Sequence, residues 1–197
     1  MLYFTADTHF GHQALLAKIT GKDSGMSLRA ITWSTVAEMD EALIDAINST
    51  VGKRDTLYHL GDWGVNNPGH YRMQIQCKDL RFIWGNHDKH SSLMQSLFKF
   101  KWEVREIKVA ETPCWLSHYA HAVWPKSHYG SLHLYGHSHG QRESTFDSIW
   151  PDRRSMDVGV DNIYRLLGSP RPISEKEVAE RLLSRKGHDP VEFYRGE

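Results

Sequence analysis

Five times along this chain a short apolar run closes on a polar cluster: "LYFTADTH", "LYHLGD", "LRFIWGNHD", "CWLSH" and "LHLYGHSHG". Apolar runs of about 4–8 residues bounded by turn signals read as buried strands. A cluster at the end of each run puts Asp, Asn and His side chains at strand ends. The pattern restricts the chain to folds that lay several short strands side by side and gather polar groups along a common edge.

In the first half these runs alternate with helical periods. Thr35 and Glu38 form a capping box, and Val36, Met39, Leu43, Ile44 and Ile47 recur at helical spacing up to about Thr50. Residues 68–78 read as a helix entered through Pro68. Strand and helix in alternation predict a parallel α/β sheet with its functional groups at the strand C-termini. The second half changes character. "CWLSH", "SLHLYGHSHG" and "RSMDVGVD" are strand-like with little helix between them, which predicts a second sheet. Residues 119–131 and 140–154 read as loops, and Ser174 with Glu177 caps a last helix to about Arg185. At 197 residues and 40% hydrophobic content the chain can bury one substantial core. The expectation is a single domain over residues 1–187 and a loose tail over 188–197.

Composition removes several classes of function. Lys plus Arg and Asp plus Glu are 24 each, so no global basic field gathers nucleic acid, although a local basic groove stays open. Cys77 and Cys114 lie outside any CxxC pair, which argues against a disulfide framework and a thiolate zinc site, and fits a reducing cytoplasm. The N-terminus has no basic leader, and no stretch approaches the ~18–20 apolar residues of a membrane span. The expectation is a soluble, cytoplasmic protein without a membrane partner.

Histidine is the outlier, at 13 residues set mostly beside Gly, Asp or Asn. The clusters Asp7-Thr8-His9, Gly61-Asp62, Gly85-Asn86-His87-Asp88, Ser117-His118 and Gly136-His137-Ser138-His139-Gly140 offer nitrogen and oxygen donors without sulfur, enough for seven ligands. Such donors suit Mn, Fe, Co, Ni or Zn better than an all-oxygen calcium cage. Seven donors exceed the four of one zinc site, so two divalent transition metal ions are the more natural complement.

The order DxH, GD, GNHD, H, GHxH over residues 1–140 resembles the calcineurin-like metallophosphoesterase superfamily, in its small stand-alone bacterial and phage form. The resemblance implies a two-sheet α/β sandwich flanked by helices, the αββα architecture, around a dinuclear centre. It implies Asp7, His9 and His139 on one metal, Asn86, His118 and His137 on the other, and Asp62 bridging them. It further implies hydrolysis of a phosphate ester by a metal-bridging hydroxide. His87 would contact the phosphate and protonate the leaving group, with Asp88 orienting it.

The chain also departs from parts of that superfamily. Protein phosphatases and their tetraphosphatase relatives carry GDxVDRG where this chain has "GDWGVNN", and "GNHDKH" lacks the clamping arginine. The capping domain of the DNA-repair nucleases does not fit in 197 residues. What remains is the compact group of bacterial and phage stand-alone phosphoesterases, and the leading expectation is a phosphodiesterase or phosphatase for a small, nucleotide-like ester. The alternatives are an endonuclease on RNA or DNA and a non-catalytic metal-binding scaffold. Four residues are candidate substrate contacts: His12, Trp63, His121 and Lys126. His12 would face the substrate mouth or cap the helix it begins. Trp63 and Trp84 would stack a base or pack in the core. Residues 119–130 read as a substrate loop, and "DRR" at 152–154 as solvated surface or a phosphate anchor.

Overall fold

The computed structural model describes residues 1–16, 18–19 and 25–187. The chain runs β1 (Leu2–Thr5), a short pair β2 (Lys18–Ile19) and β3 (Gly25–Met26), α1 (Leu28–Thr32), α2 (Val36–Thr50), β4 (Thr56–His59), α3 (Pro68–Gln74) and β5 (Asp79–Ile83). It continues through α4 (Ser92–Leu97), β6 (Phe100–Trp102), β7 (Val104–Val109), β8 (Thr112–Ser117), β9 (Leu132–Tyr135), α5 (Glu143–Ile149), β10 (Ser155–Asp157), α6 (Val160–Leu167), β11 (Ile173–Ser174) and α7 (Glu175–Leu182). The first sheet has the order β11-β1-β4-β5-β6, parallel except for the edge strand β11. The second has the order β10-β9-β8-β7, parallel except for the edge strand β7. The protein is therefore an α/β chain of two mixed sheets flanked by helices.

Period-2 alternation decides what each face buries. Phe4, Tyr58 and Ile83 of the first sheet meet Cys114, Leu116, Leu132, Leu134 and Met156 of the second in one apolar layer. Leu57, Leu80 and Phe82 point the other way, onto Met39, Leu43 and Ile47 of α2. Thr35 Oγ1 caps α2 by accepting from the Glu38 N–H at 3.1 Å. The return contact of Glu38 goes one residue further back than the pattern predicts, to the Ser34 N–H at 2.9 Å. At α7 both halves of the capping box close between Ser174 and Glu177.

Several expectations need correction. The helix entered at Pro68 stops at Gln74 because Ile75 and Cys77 leave it to fill the core, at 4% and 1% exposure. The last helix ends at Leu182. Residues 140–154 are not all loop, since α5 forms there, and α6 adds a second helix that the strand-like reading of that half omits. Strands β6 and β7 also lack a clear signal in the sequence. Arg153 of "DRR" is 3% exposed and ion-paired to Glu143 and Asp147 at 3.0 and 3.1 Å, not solvated. The tail 188–197 lies outside the described residues. Among the described residues no helix is long and apolar enough to cross a membrane.

These placements separate core from surface in a measurable way. Leu134→Ala, at a fully buried position between the sheets, is expected to cost about 2–5 kcal/mol and lower the urea midpoint accordingly. Lys126→Ala, which removes only an exposed ion pair with Glu106, should stay within about 0.5 kcal/mol of the parent in the same titration.

Candidate metal centre

All five polar clusters leave the C-terminal ends of parallel strands. β1 delivers Asp7 and His9, β4 Asp62, β5 Asn86 and His87, β8 His118, and β9 His137 and His139. The two sheets are joined at this edge by an isolated bridge between Ala6 and Gly159. The ladder also continues beyond the strands, as Asp7 N–H donates to Gly61 O at 2.9 Å and His9 N–H to Asp62 O at 3.0 Å. Gathering so many side chains at one point bends the backbone hard. Asp7, His9, Asp62, His137 and His139 all have φ between 48° and 67°, the left-handed region that non-glycine residues rarely occupy. Gly85 stands where any Cβ would lie 2.3 Å from Asp62 Oδ1.

The seven candidate donors come together. Nitrogen or oxygen atoms of Asp7, His9 and His139 lie within 4.8 Å of one another, and so do those of Asp62, His118 and His137. Asp62 stands between the groups, with Oδ2 at 3.4 Å from both His9 Nε2 and His118 Nε2. Asn86 Oδ1 is 2.9 Å from His118 Nε2 and belongs with the second group. His118 Nδ1 is tied to Leu60 O at 2.8 Å and His139 Nδ1 to Asp161 Oδ2 at 2.7 Å. In both rings this leaves Nε2 as the atom that could hold a metal.

The two groups could each hold a cation. His9 is 2% exposed, yet neither ring nitrogen has a hydrogen-bond partner, which is costly for a buried polar group. Two nitrogen and oxygen donor groups facing that orphan imidazole fit divalent transition metals. The electrostatics agree. Burial lifts the Asp7 carboxyl to about 7, against the pull of His139. Burial, with the Arg29 charge, depresses His9 to about 2. Burial opposes the charged forms of Asp62 and His118 as well, but their mutual contact wins. Asp62 is held well below the usual carboxylate range, and His118, also facing Asp7, rises to about 9. Cations entering here would displace the protons on Asp7 and His118, so their uptake strengthens as pH rises.

His87 is exposed and its ring lies 5.3 Å from that of His9. Asp88 does not orient it. The Asp88 carboxylate is consumed by three backbone N–H groups, those of Asp62, Trp63 and Gly85, at 2.8–2.9 Å, and so it shapes the Asp62 loop. The His87 N–H in turn donates to Asp62 Oδ1 at 2.9 Å.

Of the four candidate substrate contacts, only His12 reaches this centre, with its ring 5.4 Å from His9 and 6.2 Å from His87. Trp63 is 0% exposed and donates to Pro68 O, so it is core. Trp84 is likewise buried and stacks on His90. Lys126 points to Glu106 on the surface, and His121 packs against Trp115 and His133 away from the seven donors.

Three supporting residues escape a sequence reading. Asp157 accepts from Ser138 Oγ, Gly140 N and Gly159 N at 2.6–2.9 Å, and so holds the His137–His139 loop. Arg29, 1% exposed, grips Asp161 at 2.8 Å and also donates to the carbonyls of Asp7 and Thr8. Arg29 and Asp161 sit 132 positions apart, with no motif that joins them.

No protein-family model matches this chain. An uncharacterized protein of Methanocaldococcus jannaschii is 26% identical to it over 166 residues, or 82% of each chain. The Gene 66 protein of Mycobacterium phage L5 is 27% identical over 206 residues, covering 84% of this chain and 88% of its own. Among solved structures, a protein of unknown function from Aquifex aeolicus superposes with a TM-score of 0.67 at 22% identity, covering 91% of this chain and 98% of the other. That likeness is one of fold.

The role of Asp161 is separable from that of the donors. Asp161→Ala frees the His139 ring and leaves Arg29 unpaired, and is expected to weaken divalent-metal affinity about 10- to 100-fold. Titration of the chelator-treated protein with Co(II), followed by its visible absorption, measures this; unchanged affinity would remove Asp161 from the support of His139.

Proposed function

We propose that this protein is a metal-dependent phosphoesterase that hydrolyses a small, nucleotide-like phosphate ester. The observation that carries the reading is Asp62 standing between two donor groups, with the exposed His87 beside them. Asp7, His9 and His139 would hold one divalent cation, and Asn86, His118 and His137 a second, with Asp62 shared. When bound, such cations screen the negative charge of a phosphate ester and make water available as a nucleophile at neutral pH.

The chain's own residues supply the rest. Asp62 offers one carboxylate to both positions while the His87 N–H fixes its other oxygen. Asp88, by pinning the backbone on both sides of the site, holds those two residues in register. The His87 imidazole gives its proton to the ester oxygen as the P–O bond to that oxygen breaks, so the leaving group departs as a neutral alcohol. His12 is the adjacent imidazole that can face the same phosphate. The scaffold alternative has less support, since each of the seven positions carries a donor side chain.

The test is an assay of p-nitrophenyl phosphate and bis(p-nitrophenyl) phosphate before and after chelation, with Mn, Co, Ni, Zn and Mg returned one at a time. Activity should vanish on chelation and recover best with Mn, Co or Ni, at close to two metals per chain. Metal-independent turnover, or full activity with no more than one ion, would overturn the reading. Asp62→Ala should be the most damaging single change among the donors.

His87→Ala should keep the metal content and lower kcat by about 10²–10⁴-fold. The loss should be smaller for a nitrophenolate leaving group, which departs without a proton, than for an alkoxide. Equal losses on both esters would take His87 out of the acid role.

A further inference from the structure

The outer face of the second sheet carries a cavity of about 210 Å³ that shares no residue with the two donor groups. It follows from strand alternation. Leu132 and Leu134 of β9 turn into the core, so His133 and Tyr135 project outward. Residues 120–124 cover this face from one side and α5 from the other, and Trp124, Phe146 and Trp150 wall the space between. That volume falls below the ~300–1,000 Å³ of pockets for drug-sized ligands, leaving room for one ring system.

The polar groups define what the ring must be. Arg153 contributes to the wall, but its charge is answered by Glu143 and Asp147, and its Nη1 donates to the Tyr135 and Ser155 hydroxyls. The cavity is therefore no anion site. His121 Nδ1 accepts from the Trp115 indole N–H at 3.3 Å, and burial lowers the His121 pKa, so the ring is neutral and its proton lies on Nε2. Ser155 Oγ accepts from Arg153 and keeps its own proton to donate. Aromatic walls with hydrogen-bond donors and no net charge suit a flat ring with acceptor atoms on its edge. The rim is open, since the lining residue Ala122 is exposed, and Val123 and Ile149, next in sequence to the lining residues Ala122 and Trp150, are 52% and 56% exposed.

We propose that this cavity binds an uncharged planar heteroaromatic ring of the purine type, held between Trp124, Phe146 and Trp150 and hydrogen-bonded by His121 and Ser155. The inference stands independently of the phosphoesterase reading, because it uses none of the metal donors. Its walls nevertheless border the centre. Ala120 and Tyr135 lie two residues from His118 and His137, so an occupant would bear on the segments that present those imidazoles.

The test is quenching of tryptophan fluorescence in the full-length, chelator-treated protein by adenosine, with ribose and cyclohexanol as controls. Adenosine should quench saturably and the controls should not. Trp150→Ala should weaken adenosine about 5- to 150-fold, the contribution of one aromatic–base stack. Ala122→Phe fills the mouth from an exposed position that leaves the core untouched, and should abolish the effect with circular dichroism unchanged. Failure of adenosine to quench, equal binding of cyclohexanol, or unaltered binding in folded Ala122→Phe would each overturn the proposal, whatever the esterase assays show.

Discussion

Arg29 is the buried charge on which the candidate centre depends. It comes from the short helix α1, yet its guanidinium spans the Asp7 and Thr8 carbonyls on one side and the Asp161 carboxylate on the other. Asp161 then fixes His139. One cation thus ties the loop after β1, the start of α6 and the loop after β9. An unpaired guanidinium at this depth would be strongly destabilising, and lysine, with a single point of charge, cannot bridge the three acceptors. The arrangement explains why a polar side chain sits at 1% exposure so close to other buried charges.

The strain in the site is met by the same device used twice: a buried carboxylate that accepts several hydrogen bonds, mostly from backbone N–H groups. Asp88 does this for the loop bearing Asp62, and Asp157 for the loop bearing His137 and His139. Left-handed backbone costs of the order of 1–3 kcal/mol per residue, so five such residues persist only if their surroundings over-determine them. Those surroundings sit at the shared strand edge, where parallel neighbours and the Ala6–Gly159 bridge hold the turns in place. Pre-organisation of this kind leaves the imidazoles little freedom to lose when a cation arrives.

The second sheet shows how one strand serves two purposes. The inward residues of β9 complete the core, and the outward ones carry His133 and Tyr135 into a layer of aromatic and ion-paired side chains under α5. α5 is short and has no side-chain cap, and the Arg153 network ties Glu143 and Asp147 of that helix to the sheet. Its existence is a tertiary fact, which is why the stretch 140–154 reads as loop from propensity alone.

The sequence by itself determined the strand-ending clusters, the α/β class, the α2 and α7 caps and the donor types, because each depends on near neighbours in the chain: a period, a cap three residues away, a glycine beside a ligand. Only the tertiary structure decided where the longer reaches go. Trp63 and Trp84 adjoin site residues in sequence, but their rings turn into the core, since burying a large apolar surface outweighs leaving it at the mouth. Asp88 follows His87 yet bonds the backbone of the Asp62–Trp63 turn and of Gly85 in its own turn, because three N–H groups converge on its oxygens. Lys126 and His121 share a loop with His118 and end elsewhere, as that loop folds back over the outer face. Arg29 and Asp161 meet across 132 positions through a contact no local pattern encodes, since a buried charge seeks its partner in space and not along the chain.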